Sequence, residues 1–294
     1  VTYNCRKSLS FESLVEQVFG QPVPWLTTLI HGCSIFCLCS AVANSMGVGL
    51  MQIGAGVEAV FGVSQSYVLW LGIAVIMGGI FILQRGLKWI SSITMCMFFA
   101  LLLYGICFGD AEFIGKIGVE GFGNLLDNWA SKTVITNVMA EQDTWPANFT
   151  IQYWTSFIVY APVIGMFLSR MAKGRTIRQF VLVNILVPSF FCCIWIGVFG
   201  GMTIRLQFKG IMDIWGAVNQ YGMQSTVFQI LSSLPMGTVV TVFFLIAVCL
   251  SFCTLADPMS SVLATLSVRQ LSVNDEAPKR VKIFMGILIT VFSY

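Results

Sequence analysis

Charged residues are scarce in this chain of 294 residues: Asp, Glu, Lys and Arg make up 10% of it, against about a quarter in an ordinary soluble domain. Histidine occurs once, as His31, which excludes a zinc centre built on several histidines and a two-histidine mechanism. The ten cysteines form no C-x-x-C pair and lie mostly in apolar runs, which favours a packing role. The sequence therefore predicts no catalytic residue, no metal site and no cofactor.

Apolar residues dominate instead. They make up 57% of the chain, and the mean hydropathy is +0.85. Many of them come in runs of about 20 residues, which is the length that a helix needs to cross a hydrocarbon core of roughly 30 Å. Lipid offers no hydrogen-bond partners, so each run must satisfy its own backbone as a helix. We expect an all-α, multi-pass membrane protein, with residues 1–294 in one transmembrane domain and the lipid bilayer as its partner.

Seven spans are predicted along the chain. They cover residues 24–47, 66–83, 88–109, 149–170, 179–203, 234–257 and 281–294. The last run is too short to cross a bilayer, so we expect the chain to be a fragment of a longer protein. Residues 113–138 mix apolar and polar side chains and predict an amphipathic helix that lies along the membrane surface.

The basic residues support this arrangement. If the seven spans alternate in direction, one side of the membrane receives loops 1–23, 84–88, 170–178 and 258–282, with most of the sixteen Lys and Arg residues. The other side keeps only Lys116, Lys132, Arg205 and Lys209. The positive-inside rule then predicts a protein of the cell membrane whose loops 84–88, 170–178 and 258–282 are cytoplasmic.

The run at 149–170 carries an aromatic stripe. At 100° per residue, Tyr153, Phe157 and Tyr160 fall within an arc of about 60°, and Trp154 lies beside them. Such a stripe is typical of helix packing or of an interfacial belt. It is also typical of an aromatic box, whose ring faces attract an organic cation. Pro162 favours the second interpretation, because a proline interrupts the helix and transporters bind substrate at interrupted helices.

The same run continues into a motif that resembles the signature of a known protein family. Residues 165–180 read GMFLSRMAKGRTIRQF, which resembles the signature G-M-F-[IL]-A-R-I-S-[RK]-G-R-[TS]-[VI]-R-E-[FL] of the betaine/carnitine/choline transporter family. Three further stretches are similar to family motifs, at residues 47–56 (GVGLMQIGAG), 86–91 (GLKWIS) and 254–257 (TLAD).

The resemblance implies both a fold and a function. The fold would be part of a twelve-helix, leucine-transporter-like inverted-repeat bundle, here from about the fifth to the eleventh helix. The function would be secondary transport of a quaternary-ammonium solute, of the betaine, choline or carnitine class, by alternating access. Tyr153, Trp154, Phe157 and Tyr160 would bind the substrate. The family's surface helix, which takes part in trimer contacts, would correspond to residues 113–138, so a homotrimer is compatible with the resemblance.

Two departures from the family pattern bear on function. In the W-x-W-W-x-x-W helix only Trp154 keeps its tryptophan, which weakens the expected cation–π attraction. At the family's sodium site Thr254 remains as an ion-binding candidate, but Leu255 replaces a serine. We therefore favour sodium-independent uniport or exchange over sodium symport. For Asp257, an ion pair with the basic loops is favoured over a functional role.

Two alternatives stay open at this point. The altered aromatic and ion sites would also suit a non-transporting membrane sensor or receptor on the same fold, and a truncated, nonfunctional product would show the same sequence features.

Overall fold

The computed structural model describes residues 24–63, 67–134, 145–172, 174–268 and 278–292. Several predictions fall on parts that it leaves undescribed, namely loop 1–23, residues 135–138 of the amphipathic segment, and the side chains of the basic residues at 84–88. The interruption predicted at Pro162 is not seen, because the backbone from Gln152 to Met171 forms one helix. Within the described ranges the chain is almost entirely helical and has no strand, which confirms the predicted all-α class.

In the described part of the chain, eight α-helices follow one another. They are α1 (Pro24–Phe61), α2 (Val68–Phe108), α3 (Ala111–Thr133), α4 (Gln152–Met171), α5 (Ile177–Phe208), α6 (Ile214–Ser232), α7 (Gly237–Ser267) and α8 (Lys279–Phe292). A π-helical turn, Pro146–Ile151, leads into α4, and a second one, Leu182–Leu186, lies within α5.

Among the residues that the structure describes, four helical segments are long and apolar enough to cross a membrane: Thr28–Phe61, Trp89–Phe108, Ile177–Phe208 and Gly237–Thr265. They overlap the predicted spans 24–47, 88–109, 179–203 and 234–257. The predicted spans 149–170 and 281–294 coincide with helices α4 and α8, whose crossing of the bilayer stays a prediction.

Two helix boundaries differ from those predicted. The turn expected at 84–88 is absent from the structure, since α2 runs through it and joins the predicted spans 66–83 and 88–109. That stretch contains no proline, and its polar residues do not break the helical backbone. Helix α7 likewise continues past residue 257, so the predicted loop 258–282 begins only after Ser267. The Ser261 hydroxyl donates to the Asp257 carbonyl (2.8 Å) in the turn that carries Pro258.

Helix α6 was not predicted. The side chain of Asp213 begins it by accepting a hydrogen bond from the Gly216 backbone N–H. Gly222 interrupts it with φ +80°, a left-handed conformation that other residues rarely adopt. The second half of α6 packs against α1 and α7, with Phe228 buried between them.

Helix α7 lies at the centre and packs against α1, α2, α6 and α8. Its main contact with α1 and α8 is a buried apolar cluster: Leu38, Val42, Met46, Leu50, Ile53, Phe252, Ala256, Leu263 and Ile289. Small residues let the helices approach closely, as is usual in membrane bundles. A Cβ atom on Gly49 would lie 2.5 Å from the Phe252 ring, and one on Gly56 would lie 2.5 Å from Leu245. This order of contacts shows that α1 and α7 run antiparallel.

Helices α2, α3 and α5 meet at a polar junction. Asp110 begins α3 by accepting from the Phe113 backbone N–H (3.2 Å), and its carboxylate also pairs with Arg205 of α5 at 2.6 Å. Beyond this junction α3 packs on α5 near Ile114, and residues 119–132 of α3 are exposed. The helix covers most of the predicted amphipathic segment 113–138; its position at a membrane surface stays a prediction.

Candidate functional site

The aromatic stripe lies on α4, where the backbone is helical from Pro146 onward. At the start of the π-helical turn the Trp145 ring, which precedes the turn, stacks on the Phe149 ring, with centroids 5.4 Å apart. The Thr155 hydroxyl donates to the Ile151 carbonyl (2.8 Å), so this polar side chain is satisfied within its own helix. Among the described side chains of α4, the large exposed ones are mostly aromatic and aliphatic.

Three of the four predicted site residues form an exposed ring face. Tyr153 is 62% exposed, Trp154 55% and Phe157 64%. The Tyr153 and Phe157 rings stack on each other, with centroids 6.4 Å apart and planes inclined by 29°. We call these three residues the ring face of α4. The structure thus brings Tyr153 and Phe157 together and places Trp154 beside them, with all three side chains more than half exposed.

Tyr160, the fourth predicted residue, is turned towards α1. Its hydroxyl donates to the Ala41 carbonyl at 2.6 Å and contacts the Ser45 hydroxyl. Ser45 was missed by the sequence analysis, because spacing along one helix does not say which residue of another helix it meets. Its only signal was its position just before the family-like stretch 47–56.

Thr254, the predicted ion-binding residue, is half-buried on α7. Its hydroxyl donates to the Ser251 carbonyl (2.8 Å), which leaves the oxygen lone pairs available as acceptors. Pro258 stands four residues later and has no N–H to donate to the Thr254 carbonyl. Leu255 beside it is 38% exposed and contributes no oxygen. Among the described residues, no group of three His, Cys, Asp or Glu side chains could hold a metal ion.

Asp257 forms the ion pair that was expected of it. Its carboxylate lies 2.5 Å from the Lys282 ammonium at the start of α8, and the two side chains are only 15% and 17% exposed. Because both charges are used in this contact, Asp257 serves to join α7 to α8.

These contacts define what the site can do. The ring face offers aromatic surfaces that attract a cation without hydrogen bonds. Thr254 offers a hydroxyl and a carbonyl, fewer oxygens than a bound Na⁺ requires. The arrangement suits recognition of a bulky organic cation better than chemical conversion of a substrate.

The known proteins that this chain resembles are transporters. The profile of the betaine/carnitine/choline family of transporters matches residues 1–294. An ectoine/hydroxyectoine transporter of Virgibacillus pantothenticus is 29% identical over 92% of the chain and 54% of its own length. An osmo-independent choline transporter of Acinetobacter baylyi is 26% identical over 97% of the chain and 56% of its own length. A glycine betaine transporter of Bacillus subtilis is 27% identical over 78% and 46%. The chain spans about half the length of these relatives.

Proposed function

Because this chain belongs to the betaine/carnitine/choline transporter family, we propose that it forms part of a secondary transporter of quaternary-ammonium solutes that works by alternating access. The observation that carries the proposal is the ring face of α4, where Tyr153, Trp154 and Phe157 stand exposed together. No bond of the substrate is made or broken in such a cycle.

The ring face suits a quaternary ammonium for a physical reason. Such a group carries a positive charge but has no N–H, so hydrogen-bond acceptors and solvating hydroxyls recognise it poorly. The negative face of an aromatic ring attracts it, with tryptophan the strongest donor, then tyrosine and phenylalanine. With one tryptophan among the three rings, we expect weaker binding than a box of tryptophans would give.

The substrate is proposed as a class. Relatives of this chain are named for glycine betaine, choline and ectoine, all of which are compact and carry a delocalised or quaternary positive charge. Uptake of radiolabelled choline, betaine, carnitine and ectoine into vesicles that contain the full protein tests this. Saturable uptake of at least one of them, weakened in the Trp154→Ala and Phe157→Ala variants, is the expected result. Failure to take up or bind any of the four would overturn the proposal.

We further propose that transport does not require sodium. Leu255 supplies no oxygen where a hydroxyl would complete the Thr254 site, and a hard cation needs several oxygen ligands. Uptake should therefore persist when Na⁺ is replaced by K⁺ at equal ionic strength. Strict dependence on Na⁺ would contradict this, and the Leu255→Ser variant asks whether an added hydroxyl creates such a dependence.

Membrane orientation and assembly complete the proposal. The positive charge of the segments 84–88, 170–178 and 258–282 favours a cytoplasmic position for them, although 84–88 is helical within α2 and 258–267 is helical within α7. Helix α3 has an exposed apolar side, with Val119 77% and Leu126 65% exposed, which would suit the subunit contacts of a homotrimer. Cross-linking of the full protein in native membranes tests the trimer.

A sensor or receptor that binds the same solutes without moving them is the second candidate. It is favoured by the loss of tryptophans from the ring helix and of an oxygen at the Thr254 site. Retained binding of a solute without any uptake would select it.

A further inference from the structure

Tyr160 differs from the other aromatic residues of α4 in what its hydroxyl does. The ring face is more than half exposed, whereas Tyr160 is half-buried and its hydroxyl reaches two groups of α1. It donates to the Ala41 carbonyl at 2.6 Å and contacts the Ser45 hydroxyl, at positions more than a hundred residues away in the chain.

The two partners on α1 complement the Tyr160 hydroxyl: its one proton goes to the Ala41 carbonyl, so the Ser45 hydroxyl donates to the Tyr160 oxygen. Ala41 and Ser45 are one helical turn apart, so the carbonyl of the first and the side chain of the second lie on one face of α1. Ala41 is 5% exposed, which places this contact inside the bundle. A half-buried tyrosine hydroxyl in such surroundings is partly shielded from water, so breaking the contact would leave polar atoms without their hydrogen bonds.

The contact fixes how α4 is turned. Tyr153 lies about 20° and Phe157 about 60° around the helix from Tyr160, so the direction of Tyr160 sets the direction of the ring face. A ring centre lies roughly 6–7 Å from the helix axis, so a 30° rotation of α4 would move it by about 3 Å. Such a displacement is about half of the roughly 6 Å within which a ring attracts a cation, so it would weaken the contact.

We propose that Ser45 and the Tyr160 hydroxyl form an interhelical clasp that positions the ring face, and that Tyr160 acts as a positioning residue through this hydroxyl. The inference rests on the proposed function of the ring face as the substrate contact. It assigns to Ser45, which does not belong to the ring face, a role in substrate affinity.

The test uses the full protein and the variants Ser45→Ala, Tyr160→Phe and the double variant. Each single change should raise the KM for choline or the transported solute by about 3- to 10-fold, with the maximal rate changed less than 2-fold. The double variant should resemble Tyr160→Phe, because Tyr160→Phe already removes the contact with Ser45 together with the bond to the Ala41 carbonyl. Ser45→Thr, which restores a hydroxyl, should recover most of the affinity.

Ser40→Ala is the matched control. This exposed serine lies on the same helix, about 140° around from Ser45, and its loss should leave the KM unchanged. Unchanged KM in Tyr160→Phe, or additive effects in the double variant, would overturn the clasp.

A second measurement separates the clasp from the transport proposal. Thermal unfolding in detergent micelles gives the coupling between Ser45 and Tyr160 without any substrate. Non-additive shifts of the midpoint in a protein that neither binds nor transports these solutes would support the contact and refute the proposed function. Additive shifts in a protein that transports normally would support the proposed function and refute the contact between Ser45 and Tyr160.

Discussion

Individual ring side chains are where substrate selectivity would be decided, and Phe157 is the clearest one to test. Replacing Phe157 with Ala removes one ring of the stacked pair with Tyr153. Binding of choline to the full protein, measured by calorimetry in nanodiscs, should weaken by about 0.5–2 kcal/mol, the usual range for a cation–π contact. That corresponds to roughly a 2- to 30-fold higher Kd.

The matched control for this change is Phe190→Ala. Phe190 is 70% exposed on α5, close to the 64% of Phe157, but lies outside the ring face. Its loss should leave choline binding as it is. Equal affinity in the Phe157→Ala variant and the unaltered protein would remove Phe157 from the site.

The contribution of Asp110 to the stability of the folded protein should depend on pH. The hydrogen bond from the Phe113 N–H, with the positive charges of Arg205 and Lys209, holds the pKa of Asp110 below its usual range. A carboxylate with a lowered folded-state pKa stabilises the protein above its ordinary pKa of about 3.9, and this contribution is lost as the pH falls through the lower folded-state value.

Asp110→Asn should therefore unfold at a lower temperature than the unaltered protein at pH 7, and the difference should shrink as the pH approaches 3. Thermal unfolding in detergent across this range measures it. A difference that stays constant with pH would show that the charge of Asp110 does not stabilise the junction.

The residue types of the site could be predicted from sequence, but their partners could not. Helical spacing placed Tyr153, Phe157 and Tyr160 on one side of α4. It gave all three the same interpretation, whereas the structure turns Tyr160 towards Ser45. That distinction depends on how two distant helices are rotated against each other, which no local pattern records.

Among the helices, close approach of α1 and α7 makes a strong stability prediction. In Gly56→Ala the new methyl group would lie 2.5 Å from Leu245 and 2.6 Å from Phe228. Overpacking of this kind costs about 1–3 kcal/mol, and it should lower the thermal midpoint in detergent.

Gly32→Ala provides the control on the same helix, because an added methyl group there meets nothing within 4 Å. Replacing a helical glycine with alanine at such a place stabilises by up to about 1 kcal/mol. Similar effects of the two changes would contradict the packing of α1 on α7.

The ion pair between α7 and α8 predicts that a single substitution destabilises the protein more than a double substitution that removes both charges. Lys282→Met leaves the Asp257 carboxylate mostly buried without its partner, which costs about 3–5 kcal/mol for a buried pair. The double variant Asp257→Asn/Lys282→Met removes both charges and should recover most of that stability. Thermal unfolding of the three proteins measures the difference.

The exposed pair Glu112–Lys116 on α3 serves as the comparison, with N–O distance 2.6 Å but side chains 77% and 74% exposed. Lys116→Met should change stability by less than about 1 kcal/mol, as is typical of surface pairs. A double variant at 257 and 282 that is no more stable than Lys282→Met would show that the Asp257 charge is not the source of the loss.

Long apolar runs indicated where helices lie, since α1, α5 and α7 overlap such runs. The helices at 24–47, 179–203 and 234–257 follow from such runs. Two features of the fold were not predicted correctly, because the sequence patterns that indicate them are weaker. The sequence of α6 is mixed in polarity and contains Gly222, and the polar residues at 84–88 suggested a turn that the helical backbone of α2 does not make.

For the molecule as a whole, membrane orientation is the testable property. In a cysteine-free background, Lys209→Cys should react with a membrane-impermeant thiol reagent that is added to intact cells. Arg175→Cys, exposed in the link between α4 and α5, should react only after permeabilisation. The positive-inside rule gives this expectation. Reaction of Arg175→Cys in intact cells would reverse the proposed orientation.

Pro258 divides α7 into two arms of unequal length. The arm before it, from Gly237, is roughly 30 Å long, and the arm after it, to Ser267, is roughly 14 Å long at 1.5 Å per residue. A bend of about 10° at the proline would sweep the outer tip of the long arm through about 5 Å, while the short arm would move by only about 2 Å. Asp257 lies next to Pro258 and is held by Lys282 of α8. A small change in the backbone near Thr254 would therefore produce a larger displacement at the Gly237 end of α7.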